Sequence, residues 1–213
     1  MAAPPPYHFR LSILPLLGIG LFLGLYGWAT ILYPGGSNAD RTAVGFNWLT
    51  NYWCDLTGEI AKNGQPNPAA PIATAAMLVL CVSLSIFWLT LPRLFSQPRR
   101  LRALMQYPGV TAMLVAPFVA SAYHDTAINL TGVLALPPLL LTLLGLYQGR
   151  YVRLLAIGGV CLLLVALNNA IYHLAWHLNW LPVIQKITFL VVLSWVGAIS
   201  WRVYKIADQD AAR

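Results

Sequence analysis

Charge is what this sequence has least of. Only 9% of its 213 residues are Asp, Glu, Lys or Arg, against 59% hydrophobic, and the mean hydropathy is +0.67. A soluble domain of this size must present a far more polar surface to water. The composition therefore excludes a water-soluble protein and indicates an integral membrane protein. Acids are scarcest, six Asp and Glu against thirteen Lys and Arg. In a soluble chain that +7 excess would suit a nucleic acid, but here the basic residues lie in short clusters between long apolar runs, the pattern of membrane topology. No nucleic-acid partner is expected. Cysteine is sparse too: Cys54, Cys81 and Cys161 form no C-x-x-C pair, which excludes a disulfide framework, and two of them lie inside apolar runs as small hydrophobes. There is no Gly-rich phosphate loop, no G-x-S-x-G elbow, no internal repeat and no low-complexity tail.

What remains is apolar sequence in lengths that cross about 30 Å of hydrocarbon. Spans are predicted at about 11–33, 71–91, 104–123, 130–147, 152–175 and 181–204, giving an all-α, six-transmembrane-helix bundle in a single domain, residues 1–213. The first run exceeds a signal-peptide core and lacks an A-x-A exit, so it is expected to stay as a span. Pro117 and Pro137-Pro138 should kink or loosen the third and fourth spans, while Gly18, Gly20, Gly24 and Gly27 form a small-residue stripe on the first.

Ten of the thirteen basic residues, Arg10, Arg93, Arg99, Arg100, Arg102, Arg150, Arg153, Arg202, Lys205 and Arg213, fall on one side of a six-span arrangement. Arg41 and Lys62 fall on the other, and Lys186 lies just inside the last span. The positive-inside rule then places both termini in the cytoplasm, with the bacterial inner (plasma) membrane as the default location. Four of the six acids, Asp40, Asp55, Glu59 and Asp125, and three of the four histidines, His124, His173 and His177, gather toward the outer face. Ionisable groups in or near spans are costly and are functional-site candidates by default.

On one helix, Asn169, His173 and His177 would share a stripe at i, i+4 and i+8. Two imidazoles one turn apart can reach one metal ion, with His124 as a third ligand, and three histidines with an open fourth position acidify a bound water. Asp125 or Asp55 would then act as general base. The same residues also suit other roles. Histidines at the outer edge can join an aromatic interfacial belt with Tyr123, Tyr172, Trp176 and Trp180. Asp125 can cap the fourth span against its positive dipole end. His124 opposite His173 or His177 could also ligate a haem as axial pair, or line a quinone site.

The first outer connection carries Trp48, Tyr52, Asp55 and Glu59 at helical spacing and is predicted to form a short interfacial helix, an aromatic anchor or a lid bringing Asp55 and Glu59 over the histidines. Lys186 needs a carboxylate if buried, and Asp55, Glu59 and Asp125 are the available partners. Such an ion pair would use up the acids without any metal.

Two resemblances can be stated on these residues. The segment Asn51-Tyr52-Trp53-Cys54-Asp55-Leu56-Thr57-Gly58, Asn67-Pro68 entering the second span and His124-Asp125 entering the fourth resemble the DRAM/Sfk-type family and related uncharacterised bacterial six-helix membrane proteins. That resemblance implies a role in lipid handling or regulation. Ser121, His124, His173 and His177 are similar to the motif residues of the CREST membrane hydrolases, which include alkaline ceramidases and progestin/adipoQ receptors. Here the serine is three residues before the histidine instead of four, and the H-x-x-x-H lies on the fifth of six spans instead of the seventh. This second resemblance implies zinc held by the three histidines, Ser121 at the catalytic site and a lipid amide or ester as substrate. The functional expectation is a zinc-dependent lipid hydrolase at the outer leaflet, with Asn169, Lys186 and Glu59 completing the site. The alternatives are a non-catalytic lipid-binding or regulatory membrane protein, and a b-type haem or quinone protein. A homo-oligomer is left open.

Overall fold

The computed structural model describes residues 11–121, 123–175 and 177–211. The expectations that rest on Met1–Arg10, Trp176 and Arg213 lie outside these residues. Six α-helices follow one another: α1 (Leu14–Leu32), α2 (Ala70–Thr90), α3 (Arg99–Val115), α4 (His124–Gln148), α5 (Val152–Leu174) and α6 (Leu181–Ala211). Short 3-10 turns at Trp53–Thr57, Leu91–Leu94, Ala116–Ala120 and Leu178–Trp180 punctuate them. Apart from two isolated antiparallel bridges, Gly35 with Val44 and Ile60 with Pro66, the described residues contain no β-structure. Long runs of Leu, Ala, Val and Ile favour this outcome, because a helix satisfies its backbone polar groups within the segment. Pro15 and Pro71 sit in the first turns of α1 and α2, where an N–H would lack an intrahelical acceptor.

Five helices, α1, α2, α4, α5 and α6, are long and apolar enough to cross a membrane. The exception is α3. It starts five residues before the predicted span and carries Arg99, Arg100 and Arg102 in its first turns, and at Ala116–Ala120 the α-helix tightens to 3-10 around Pro117. The remaining spans lie close to their predicted limits, except that α4 begins six residues early, at His124, and α6 runs seven residues further, to Ala211. Pro137-Pro138 do not break α4, which is continuous through them.

Successive helices pack side by side, and α6 returns to α1, so the bundle closes in chain order, with α2 also touching α6. The buried core runs through Phe22 and Tyr26 of α1, Leu80 and Phe87 of α2, and Trp195 and Ile199 of α6. At Gly109 a Cβ would lie 2.5 Å from the Trp88 indole, so the absent side chain is what lets α3 close on α2. Of the glycine stripe on α1, only Gly18 is in close contact, against Ser83, while Gly20, Gly24 and Gly27 face open space. The burial is uneven: α4 and α5 bury about half the share of residues that α1 and α2 do.

The predicted interfacial helix in the first outer connection does not form. Residues 33–69 fold instead into a compact cap whose only helical piece is the turn Trp53–Thr57. Its conformation depends on Gly36, at φ +78°, where a Cβ would collide with the Asn63 backbone at 2.3 Å. Trp48 stays exposed, whereas Trp53 plugs the bundle between Phe22, Tyr26 and Phe189, at centroid distances of 5.9, 5.4 and 5.4 Å.

Candidate functional site

Two separate polar assemblies occupy the end of the bundle where α4 and α6 begin and α5 ends. The first holds the cap in place. Asp55 is buried, with its side chain 3% exposed. Its Oδ2 accepts from the Asn51 amide and the Tyr52 backbone N–H, both at 3.0 Å, and its Oδ1 lies 3.6 Å from the Lys62 ammonium. Asn51 also donates to the Gly36 carbonyl at 2.7 Å. From below, the buried Lys186 of α6 donates to the Asn51 carbonyl at 2.6 Å, within reach of the Asp55 charge and 5.9 Å from the Phe46 ring centre. One residue earlier on α6, the Gln185 amide oxygen accepts the Trp53 backbone N–H at 3.2 Å. Asn67 ties the end of the cap to Leu56 and Gly58 through their carbonyls. Beside Asp55, burial pushes the Cys54 thiol up to about 11, with the carboxylate acting in the same direction. Glu59 is exposed, and its backbone carbonyl accepts the Asn67 N–H.

The second assembly joins α4 to α5. One oxygen of Asp125 serves both helices: Oδ1 lies 3.0 Å from His124 Nδ1 and accepts the Tyr172 hydroxyl at 2.8 Å. Asp125 lies in the first turn of α4, where its charge complements the dipole, but among the described residues its carboxylate caps no backbone N–H, and Tyr123 occupies the N-cap position. His173 is close enough for its charge to act on Asp125, and its ring stands edge-on to Tyr172 at 5.2 Å. The Asp125 side chain is 70% exposed. Thr126 and Asn129 of α4 and Asn169 and His173 of α5 are exposed as well. All of them sit on the first half of α4 and the last half of α5.

The helical H-x-x-x-H stripe is not present. Helix α5 ends at Leu174, and Ala175 turns left-handed at φ 51°, its N–H bonding back to the Ile171 and Tyr172 carbonyls. The chain must reverse here to start α6 at Leu181, and His177 itself is left-handed at φ 53°. His173 and His177 therefore do not occupy successive turns of one helix. Among the described residues, no three His, Cys, Asp or Glu side chains group closely enough to hold a metal ion. His124, His173 and His177 are not brought into one such group. Ser121 Oγ donates to the Phe118 carbonyl at 2.6 Å and accepts the Tyr123 N–H, so it is engaged with its own turn. Asp55 and Glu59 belong to the cap, and Lys186 of α6 bonds to it.

His177 and Trp180 stand instead at the mouth of a groove of about 370 Å³ between α5 and α6, walled by Leu167, Ala170, Ile171, Leu174 and Ile184. Residues advance about 100° around a helix, so Ala170 and Leu174 follow directly on Asn169 and His173. Groove and polar patch are neighbours around α5. Sequence reasoning placed Tyr172 in an aromatic belt and did not give it to Asp125, although the spacing of Tyr172-His173 opposite His124-Asp125 is compatible with both. Searches of protein-family models, of curated proteins and of solved structures returned no match to this chain.

Proposed function

We propose that this is a six-span membrane protein with both termini cytoplasmic, in a bacterial inner membrane, which binds a membrane lipid in the outer leaflet without catalysing its hydrolysis. Three observations favour the sixth span and the orientation. Helix α3 is lodged between α2 and α4 with Met105, Gly109 and Ala112 buried. The 3-10 turn after it extends its reach. The described basic clusters at Arg93–Arg102, Arg150–Arg153 and Arg202–Lys205 then share one end.

The observation that carries the lipid reading is the exposed polar patch of Asp125, Asn129, Asn169 and His173 on the outer halves of α4 and α5, beside the apolar α5–α6 groove. Polar side chains on a span surface are costly against hydrocarbon and ordinarily meet a polar group or a water-filled cavity. A headgroup on the patch with an acyl chain along the groove satisfies both surfaces. The reading agrees with the lipid association implied by the resemblance to DRAM/Sfk-type proteins. It also leaves Asp55 and Lys186 a structural role, holding the cap.

The test is lipid retention by the detergent-purified protein, measured by native mass spectrometry. Ala170→Trp, which fills the groove, and Asn169→Leu should each lower retained lipid while thermal unfolding changes little. Retention unchanged in both would overturn the reading. Elemental analysis and a visible spectrum of the same sample should give substoichiometric zinc and no Soret band. One zinc per chain, lost on His173→Ala, would restore the hydrolase.

A further inference from the structure

We infer that the α4–α5 patch selects a lipid whose headgroup ends in a primary ammonium, phosphatidylethanolamine, through Oδ2 of the exposed Asp125 carboxylate. The inference rests on the lipid-binding reading above and adds the headgroup chemistry. The carboxylate is held by two donors on one oxygen: His124 Nδ1 and the Tyr172 hydroxyl both meet Oδ1. Among the described residues, Oδ2 accepts no hydrogen bond. An ionised carboxylate has about four acceptor sites, so half of this one is unspent, on a side chain that is 70% exposed.

The charge around it is complementary to a cation and adverse to a bare phosphate. No Lys or Arg occurs on α4, and the only one on α5 is Arg153, at the opposite end of the helix. The described outer-face cations are committed elsewhere: Lys62 to Asp55, Arg41 to the Lys62 carbonyl at 3.2 Å, and buried Lys186 to the Asn51 carbonyl. A phosphate without the ammonium would meet a carboxylate and no fixed positive charge. A primary ammonium supplies three N–H donors, which suit Oδ2 and the Asn169 carbonyl oxygen, since the Asn169 amide N–H already donates to the Val165 carbonyl at 2.9 Å. A trimethylammonium group has no donor for Oδ2, so choline lipids should bind less well.

The experiment compares the full-length protein with matched-chain phosphatidylethanolamine, phosphatidylcholine and phosphatidylglycerol, by native mass spectrometry and by lipid-induced thermal shift. Phosphatidylethanolamine should be favoured about fivefold over phosphatidylglycerol, the size expected of one partly exposed ion pair. Asp125→Asn should abolish that preference, and Asp40→Asn, in the cap, should not. Equal binding of the lipids, preference for phosphatidylglycerol, or a preference that survives Asp125→Asn would overturn the headgroup assignment, even where Ala170→Trp still lowers lipid retention. No lipid retained by the wild type, or retention insensitive to Ala170→Trp and Asn169→Leu, would instead remove the lipid-binding reading itself. If Asp125→Asn does not fold, the wild-type comparison of the three lipids decides the assignment alone.

Discussion

Removing the carboxylate charge at Asp55 should cost more than removing the ammonium at Lys186, and removing both should cost less than the sum. Asp55 lies 3.6 Å from Lys62 of the cap, and its charge reaches Lys186 of α6. In Asp55→Asn two cations lose their counter-charge. Lys62 can turn to water, since its side chain is 34% exposed, but Lys186 is buried and cannot. Breaking a buried charge pair from one side costs about 3–5 kcal/mol. Lys186→Met removes the buried charge together with its desolvation, and leaves the Asn51 carbonyl without its 2.6 Å donor, a cost of about 1–3 kcal/mol. In the double variant no buried ammonium is left to be uncompensated, so the two costs should fall short of additivity by about 1–3 kcal/mol. Denaturant titration in detergent micelles, followed by tryptophan fluorescence, measures all four corners of the cycle. Costs that add to within about 0.5 kcal/mol would show that Asp55 and Lys186 act independently, and would refute an electrostatic tie between the cap and α6.

Three further outcomes follow from the same geometry. Trp53→Ala empties the space between Phe22, Tyr26 and Phe189 and should cost about 3–5 kcal/mol, with the cap becoming the first site of limited proteolysis; cleavage elsewhere first would refute its role as a plug. Cys54, with its thiol at about 11, should be roughly a hundredfold less thiolate at pH 8 than a free cysteine and correspondingly slow toward maleimide, its labelling rising as the pH is taken toward 10. In a background lacking native cysteines, Asp40→Cys should react with an impermeant thiol reagent from outside intact cells and Arg150→Cys only after lysis; the reverse pattern would invert the orientation.

The helices were legible because their cause is compositional: long apolar runs have no other way to satisfy their backbone in a bilayer. Their ends were less so. Hydropathy places the start of α3 at Leu104 because it registers the arginines at 99–102 as polar, whereas the backbone is already helical there. The H-x-x-x-H pattern at 173–177 has a helical period, but period alone does not reveal that the chain must turn within a few residues to begin α6. The sequence reading gives buried Lys186 a carboxylate partner, and Asp55 does act on it, but through its charge and not by direct contact. That the direct acceptor is the Asn51 backbone carbonyl was not readable, because every residue carries such a group and none marks it in sequence. Tyr172 illustrates the same limit: an interfacial aromatic and a carboxylate donor are the same residue until α4 is set beside α5.

The cap also sets a schedule for biogenesis. Two of its hydrogen bonds to α6, Trp53 to Gln185 and Lys186 to Asn51, join residues 132 and 135 positions apart. At about 5–20 residues per second, the first loop waits on the order of ten seconds after synthesis for the helix that seats it. During that interval Trp53 has neither Gln185 nor Phe189 to rest against, and Asp55 stands opposite Lys62 alone. The last helix to be inserted is therefore the one that locks the first loop, so a nascent chain halted before residue 181 would leave the cap unseated and open to any quality-control protease that meets it.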